Sequence, residues 1–275
     1  MTTAHDDDLA VAIELARRAG ELIAAGYNRP AGVRRKSRRD VVTAADYDSE
    51  RLIIQAIHER FPGDGILAEE SGRGSSPTAR ARWGGRTWVI DPLDGTVNYA
   101  NGIPFFCVSI GLVEAGTPTV GVILDPLRGD CYAATAGGPA TLNGVPVRAS
   151  DKGELADFVV SLAIIGRGGI ARERRVAHEI RIGRRMGSAA LALAYVASAR
   201  FDAYVQNGGL SLWDIAAAGL IAERAGATVT DLYGGPWWNA GKRGPRLSIV
   251  AAPPPHHARL LELLRSARTT VETRR

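Results

Sequence analysis

The chain has 275 residues, of which 45% are hydrophobic and 23% are charged, a balance typical of a globular protein with a sizeable core. No apolar run approaches the roughly 20 residues of a membrane span, and the acidic N-terminus lacks a signal-peptide pattern. We therefore expect a cytoplasmic protein that does not cross a membrane. The formal net charge of +5 could indicate an anionic partner, but it is weak evidence for nucleic-acid binding.

The first 150 residues combine amphipathic helices with short apolar strands. Apolar residues recur at helical spacing in the first segment, and Pro62-Gly63 is expected to end the second helix. The pair Asn143-Gly144 predicts a β-hairpin turn, and the Gly-, Ser- and Arg-rich stretch 72–86 predicts an exposed loop. Helices are predicted over residues 8–26 and 43–61, and strands over 65–68, 87–90, 105–114 and 119–125.

From about residue 157 the pattern changes to alternating strands and helices, which is typical of an α/β arrangement. Helices are predicted over residues 171–182, 188–199, 213–225 and 256–267, and strands over 158–162, 203–205, 228–230 and 247–251. We therefore expect one compact domain, 1–275. In it, an N-terminal α+β half, 1–150, would pack against a C-terminal α/β half, 151–275.

The most specific motif is W-V-I-D-P-L-D-G-T-V-N-Y, at residues 88–99. An apolar strand ends in Asp91, and Asp94 follows a turn that the proline restricts, so both carboxylates can face one point. Gly95 and Thr96 begin a predicted short helix, whose first N–H groups point outward and favour a phosphate. A lone pair of aspartates could simply form a turn. Paired carboxylates beside a phosphate-binding turn instead suit Mg²⁺, which takes oxygen ligands and shares phosphate oxygens.

This string resembles the signature of the inositol monophosphatase family, D-P-[I/L]-D-G-T-x-N-[F/Y]. Other segments are similar to family segments: I-L-A-E-E-S at 66–71, R-M-G-S-A-A at 185–190 and L-W-D-I-A-A-A-G at 212–219. The first contains Glu69, and the last contains Asp214 at the start of a predicted helix. The resemblance covers nearly the whole chain. It implies a mixed α+β and α/β fold, a layered αβαβα sandwich of the inositol monophosphatase and fructose-1,6-bisphosphatase type.

By this resemblance, we expect a Mg²⁺-dependent phosphomonoesterase that lithium inhibits and that forms a homodimer. The resemblance implies a first Mg²⁺ held by Glu69, Asp91 and the backbone carbonyl of Leu93. A second Mg²⁺ would be held by Asp91, Asp94 and Asp214. Glu69 would also help to hold a weaker third ion, so two or three ions are expected.

The resemblance also implies catalytic and substrate-binding roles. Asp46 and the Thr96 hydroxyl would orient the attacking water, beside the catalytic metal ligands Glu69 and Asp91. Thr43 and Asp46 also have capping-box spacing, so the residues alone leave a structural role for Asp46 open. The implied substrate-binding residues are Leu93, Asp94, Gly95, Thr96, Gly187, Ser188, Ala189, Gln206 and Asp214.

Two departures from the family pattern bear on the substrate. Gln206 stands where the family often has a glutamate that contacts inositol hydroxyls, and an amide lacks the charge of a carboxylate. The loop from Gln206 to Trp213 is also one residue longer than the family pattern. The segment 162–185 is shorter than the corresponding segment of the family and is rich in arginine. The arginines indicate either solvated surface charge or a more anionic substrate.

The leading functional hypothesis is hydrolysis of myo-inositol-1-phosphate, one of the small phosphorylated polyols and sugars. Histidinol phosphate, fructose-1,6-bisphosphate and 3′-phosphoadenosine-5′-phosphate stay open as substrates. A different class of function, an RNA-binding accessory protein of transcription, fits the basic charge. The full set of metal ligands favours the enzyme, as does the lack of an RNA-binding signature with interleaved aromatic residues.

Overall fold

The computed structural model describes residues 5–29, 31–37, 41–72, 83–166, 168–241 and 247–265. Most of the predicted loop 72–86 lies outside the described residues, as do the last two residues of the predicted helix 256–267.

Helices and strands follow one another along the described residues. The helices are α1 (Asp6–Gly26), α2 (Ala44–Arg60), α3 (Glu69–Gly72), α4 (Thr96–Ala100), α5 (Gly169–Glu179), α6 (Ala189–Ala197), α7 (Leu212–Arg224) and α8 (Pro254–Arg265), with a 3₁₀ turn at Leu155–Asp157. The strands are β1 (Arg34–Arg35), β2 (Val41–Val42), β3 (Gly65–Ala68), β4 (Arg86–Asp94), β5 (Cys107–Glu114), β6 (Thr117–Asp125), β7 (Asp130–Thr135), β8 (Thr141–Leu142), β9 (Val145–Pro146), β10 (Val159–Ala163), β11 (Ile182–Arg184), β12 (Ala203–Leu210), β13 (Thr228–Thr230) and β14 (Leu247–Ala252).

A seven-stranded sheet, in the order β3-β4-β5-β6-β7-β8-β9, forms the N-terminal part of the fold. β3 and β4 run parallel, and the strands from β4 onward pair antiparallel. Helices α1 and α2 cover one face, while α6 and α7 cover the other. Because its central strands are buried on both faces, they are apolar without alternation, as around Ile110 and Val122.

A five-stranded sheet, in the order β11-β10-β12-β14-β13, forms the C-terminal part. β10 runs parallel to β11 and β12, whereas β14 is antiparallel to β12 and β13. Helices α6 and α7 lie between the two sheets, and α5 and α8 pack together on the outer face of the second sheet. The layers therefore run α-β-α-β-α, which confirms the predicted sandwich.

The central helix α7 lies close to the first sheet because β6 carries a glycine where the two meet. A Cβ added at Gly121 would lie only 2.7 Å from the carbonyl oxygen of Ala217. On the neighbouring strand, the Ser109 hydroxyl donates to the carbonyl of Trp213 (3.2 Å). This packing holds the first turn of α7, which carries Asp214, against the first sheet.

Some predicted boundaries are wrong. The predicted helix 171–182 ends early, because α5 stops at Glu179 and Ile182 begins the edge strand β11, opposite Val159. The predicted strand 203–205 continues to Leu210 through a register shift, where Gly209 has a φ of +77°. Most of the segment between Gln206 and Trp213 therefore lies in an irregular strand, not in a loop.

Two further differences concern the first sheet. β4 continues past the predicted end at residue 90 to Asp94, with a register shift against β5 between Asp91 and Asp94. β7 has no counterpart among the predicted strands, because its segment Asp130–Thr135 contains two adjacent alanines and few residues of high strand propensity. The Asn143-Gly144 turn does join β8 to β9, as predicted, with φ values of +51° and +80°.

Candidate metal-dependent active site

Two carboxylates at the end of β4 meet a third carboxylate from the first turn of α7. Asp91, Asp94 and Asp214 each offer one oxygen, and these oxygens all lie within 4.8 Å of one another. Asp91 is 2% exposed, whereas Asp94 and Asp214 border a cleft. The fold thus brings together predicted metal ligands that are more than 100 residues apart in the sequence.

Hydrogen bonds from neighbouring groups orient the two carboxylates of β4. The Leu93 N–H donates to Oδ1 of Asp91 (3.1 Å). The Ser188 hydroxyl and the Ala190 N–H both donate to Oδ2 of Asp94, at 2.6 and 2.7 Å. The start of α6 therefore holds Asp94 in place, because Ser188 is the N-cap residue of that helix.

Asp214 is the third residue of α7 and takes part in the capping of that helix. Its Oδ2 accepts a hydrogen bond from the Ser211 N–H (2.7 Å), and the Ser211 side chain completes a capping box. The same arrangement that starts the helix also aims the carboxylate at the cluster. A capping role and a ligand role are therefore compatible at this position.

Burial and mutual repulsion make this cluster a good cation site. Burial raises the pKa of Asp91 well above its ordinary value, and the charges of Glu69, Asp94 and Asp214 raise it further. Burial also raises the pKa of Asp94 to about 6, although hydrogen bonds from Ser188 and the backbone oppose the shift. A bound cation would relieve the repulsion, and carboxylate oxygens are the donors that Mg²⁺ prefers. The donor set therefore fits Mg²⁺.

Glu69 faces the same cluster from the end of β3, where it begins α3. Its charge contributes to the raised pKa of Asp91, so the two carboxylates lie near each other. The Lys36 Nζ lies 3.1 Å from Oε1 of Glu69 and also donates to Glu70. Burial raises the pKa of Glu70 to about 7. Lys36 thus bridges the two glutamates at the edge of the cluster.

Asp46 and Thr96 are hydrogen-bonded in the interior, as the resemblance implies. The Thr96 hydroxyl lies 2.9 Å from Oδ1 of Asp46 and 3.0 Å from the carbonyl oxygen of Leu93, and its single hydrogen can point to either acceptor. Oδ2 of Asp46 accepts from the N–H and hydroxyl of Thr43, at 2.8 and 2.6 Å. The contacts of a capping box and those expected for the catalytic pair therefore coexist.

The turn between β4 and α4 requires a glycine. Gly95 has a φ of +94°, in the left-handed region that favours glycine. A Cβ at this position would lie 3.0 Å from the carbonyl oxygen of Phe105 and 3.1 Å from the Cβ of Ser188. The chain can therefore enter α4 at Thr96 beside the carboxylates only because position 95 has no side chain.

Asn98 connects the motif to the segment 185–190, a contact that sequence reasoning missed. Its Nδ2 donates to the carbonyls of Phe105 (2.7 Å) and Met186 (2.8 Å). Gly187, with a φ of +84°, lies against the same amide, and a Cβ there would lie 2.9 Å from it. The only sequence signal for this role is the place of Asn98 in the motif.

A cleft of about 270 Å³ opens beside Asp94 and Asp214. The predicted residues Gly187, Ser188, Ala189 and Gln206 line it, as do Arg185 and Met186 of the segment 185–190 that resembles a family segment. Sequence reasoning missed five further lining residues: Ser161, Ala163, Tyr204, Gly209 and Leu210. The predicted residues Leu93, Gly95 and Thr96 are not among the lining residues. A larger hollow of about 680 Å³, on the outer face of α2, contains none of the three clustered carboxylates.

Strand pairing explains why Ser161, Ala163 and Tyr204 line the cleft beside Gln206. Ser161 lies opposite Tyr204, and Ala163 lies opposite Gln206, in the parallel pair β10–β12. Alternate residues of a strand share one face, so these four side chains point the same way. The signal is a period of two, and it identifies the lining only when the neighbouring strand is known.

Comparisons with known proteins agree with this geometry. A model of the inositol monophosphatase family matches residues 5–269. The chain belongs to the inositol monophosphatase family. The chain is 39% identical over 235 residues to the Nus factor SuhB of Pasteurella multocida. The match covers 82% of this chain and 86% of the relative. It is 34% identical over 239 residues to the inositol monophosphatase of Mesembryanthemum crystallinum, covering 83% and 86%. The solved inositol monophosphatase from Anabaena matches with a TM-score of 0.79 and 34% identity, over 95% of this chain and 96% of that one.

The family also establishes the class of reaction. The chain is a phosphomonoesterase, as predicted, from a family that acts on small phosphorylated substrates. The family depends on Mg²⁺ in general, which agrees with the oxygen donors of the carboxylate cluster. Within the described part of the chain, every helix is too short or too polar to span a lipid bilayer.

Proposed function

We propose that the protein hydrolyses a small phosphorylated polyol or sugar, with myo-inositol-1-phosphate as the leading candidate substrate. The observation that carries this proposal is the cluster of Asp91, Asp94 and Asp214 beside a cleft of about 270 Å³. A cleft of this size suits a small ligand. Histidinol phosphate, fructose-1,6-bisphosphate and 3′-phosphoadenosine-5′-phosphate are the alternative substrates.

The three clustered carboxylates would hold two or three Mg²⁺ ions, together with Glu69 and the carbonyl oxygen of Leu93. When bound, Mg²⁺ supplies the positive charge that stabilises the phosphate group and the departing oxygen. The Leu93 carbonyl oxygen lies 3.0 Å from the Thr96 hydroxyl, so it faces the turn that would receive the phosphate. The phosphate would accept hydrogen bonds from the N–H groups of Gly95 and Thr96.

Thr96 and Asp46 would position the attacking water. With its hydrogen directed to Oδ1 of Asp46, the Thr96 oxygen keeps a lone pair that can accept a hydrogen bond from water. Burial raises the pKa of Asp46, and a carboxylate with a raised pKa is a stronger base. The proton that leaves the water can therefore pass through Oγ1 of Thr96 to Oδ1 of Asp46. The alcohol portion of the substrate would occupy the cleft between Asp214 and Gln206.

Asp91→Asn tests this proposal. Phosphate release from the four candidate substrates should require Mg²⁺ and should disappear in EDTA. Asp91→Asn should lower kcat/KM by more than about 100-fold, because even second-shell changes at metal sites cost 10–100-fold. The variant retains an oxygen that can accept from the Leu93 N–H, so its circular dichroism spectrum should match the parent. The exposed Asp48→Asn, outside the cleft, is the matched control and should keep full activity. Mg²⁺-dependent release by Asp91→Asn near the parent rate would refute the assignment.

A role in transcription is the second candidate function, because the relative from Pasteurella multocida is named a Nus factor. The net charge of +5 would favour an RNA partner. RNA binding that weakens with salt and survives Asp91→Asn would support this function. A lack of RNA binding at low salt would exclude it.

Several expectations stay predictions. A homodimer, lithium sensitivity and a cytoplasmic location belong to this group. So does the organisation as one domain, 1–275, with an N-terminal half, 1–150, that carries most metal ligands and a C-terminal half, 151–275, that carries Asp214. The packing of α7 against both sheets supports a single domain.

A further inference from the structure

We propose that the cleft selects phosphate esters whose alcohol portion carries a second anionic group, a carboxylate or a second phosphate. This inference rests on the proposed phosphatase function and refines its substrate class. It depends on the neutral floor of the cleft, on the orientation of the Gln206 amide and on the position of Arg185. Among the four candidate substrates, it favours the two bisphosphates over histidinol phosphate and over myo-inositol-1-phosphate, which the family resemblance alone places first.

The floor of the cleft is neutral. Ser161, Ala163, Tyr204 and Gln206 form it, from the neighbouring strands β10 and β12. Among the described lining residues, the only carboxylates are Asp94 and Asp214, which belong to the metal cluster. The described lining therefore offers no further carboxylate to accept hydrogen bonds from two adjacent hydroxyls of a neutral polyol.

Two hydrogen bonds fix the amide of Gln206. The buried Tyr204 hydroxyl donates to Oε1 of Gln206, and Nε2 donates to the carbonyl of Gly208 (3.0 Å). Because a carbonyl oxygen can only accept, the contact with Gly208 identifies which end of the amide is the nitrogen. The register shift between Gln206 and Leu210 gives β12 the local bend at which this contact forms.

This orientation leaves a donor at the cleft. Oε1 of Gln206 already accepts from Tyr204, whereas Nε2 has two N–H groups and uses one of them for Gly208. Among the described residues, the second N–H has no hydrogen-bond partner. A carboxylate or phosphate oxygen would accept from this N–H, which has no counterpart in a glutamate at the same position.

Arg185 supplies a positive charge at the same cleft. Its guanidinium lies 3.1 Å from the Glu173 carboxylate and 3.5 Å from the Ile164 carbonyl. The side chains of Arg185 and Glu173 are 58% and 40% exposed, and ion pairs that are so exposed contribute little. A substrate anion can therefore recruit the guanidinium, whose planar fork of N–H donors matches a carboxylate or a phosphate.

A matched pair of substrates tests this selectivity. 3-Phosphoglycerate and glycerol-3-phosphate differ only in a carboxylate that replaces a CH₂OH group. With Mg²⁺ present, the parent should show a kcat/KM for 3-phosphoglycerate that is about tenfold higher or more, the usual contribution of a charge-assisted hydrogen bond. Arg185→Gln should bring this ratio close to one. Gln206→Glu should shift it below one, because a carboxylate repels the substrate anion and accepts from hydroxyls.

Arg184→Gln is the matched control. The neighbouring Arg184 is exposed, its guanidinium contacts the Gly183 carbonyl (3.1 Å), and it is not among the described lining residues. This variant should keep the parent ratio. A parent ratio of one or less would overturn the inference, and so would an equal loss of selectivity in both arginine variants. Mg²⁺-dependent release without selectivity would leave the proposed function intact. If no substrate, including myo-inositol-1-phosphate, is hydrolysed, both the proposed function and this inference fail.

Discussion

Replacing Asp94 with asparagine should stabilise the metal-free protein while removing its activity. Burial raises the pKa of this carboxyl group to about 6, so the fold holds the charged form at a cost at neutral pH. Asparagine keeps an oxygen that can accept from the Ser188 hydroxyl and the Ala190 N–H, but it carries no charge. The substitution therefore removes repulsion within the cluster and leaves the local hydrogen bonds in place.

The change in the free energy of unfolding follows from the pKa shift. The pKa of Asp94 rises from 3.8 to about 6 on folding, and about two units correspond to about 3 kcal/mol. Because the folded protein binds more protons than the unfolded chain between these values, the stability of the parent falls as the pH rises through this window. The gain from Asp94→Asn should therefore be up to about 3 kcal/mol at pH 8 and about half of that at pH 5.

Thermal unfolding in EDTA and in Mg²⁺ measures this effect. In EDTA at pH 8 the Tm of Asp94→Asn should exceed that of the parent, by about 2–4 °C for each kcal/mol. Saturating Mg²⁺ should close the gap, since a ligand at 100 times its Kd adds about 2.7 kcal/mol to the parent. Asp125→Asn is the control. Asp125 is 1% exposed and accepts from Leu127 and from Arg128, so its substitution should lower the Tm in both buffers. A metal-free Asp94→Asn that melts at or below the parent would refute this reasoning.

Two further predictions concern the proposed catalytic pair, Thr96 and Asp46, and the packing of helix α7 between the sheets. Thr96→Val removes the hydroxyl that meets Asp46 and keeps the branched shape, so steady-state kinetics should show kcat reduced by about 100-fold or more, whereas Thr96→Ser should retain activity. A valine variant with most of the parent kcat would contradict the role of the hydroxyl. Gly121→Ala would place a Cβ 2.7 Å from the Ala217 carbonyl oxygen and should cost about 1–3 kcal/mol in urea unfolding. Gly137→Ala, where a Cβ would meet nothing within 4 Å, should leave the urea midpoint unchanged, and equal midpoints for both variants would refute the tight packing.

Local patterns predicted the elements that depend on neighbours in the sequence. The predicted helices 8–26 and 43–61 correspond to α1 and α2, because their apolar spacing repeats within a few turns. The Asn143-Gly144 turn forms as predicted, since both residues tolerate a positive φ. The end of the predicted helix 171–182 was wrong, because the strand that begins at Ile182 exists only through its pairing with β10. Single-sequence propensity contains no information about that partner.

In the candidate site, too, some features follow from residues that are neighbours in the sequence, whereas others depend on tertiary contacts. The motif at 88–99 by itself determined that Asp91, Asp94, Gly95 and Thr96 would lie close together, since only a few residues separate them. In the structure, Asp91 and Asp94 lie at the end of β4, and Gly95 forms the turn into α4. The family resemblance implied that Asp214 joins Asp91 and Asp94, but only the tertiary structure shows how α7 brings its carboxylate to them and that the Tyr204 hydroxyl orients the amide of Gln206. Those contacts depend on the packing of α7 against a glycine of β6 and on the pairing of β10 with β12. Such contacts join residues far apart in the chain, so they form only when the layers pack, and no local pattern contains them.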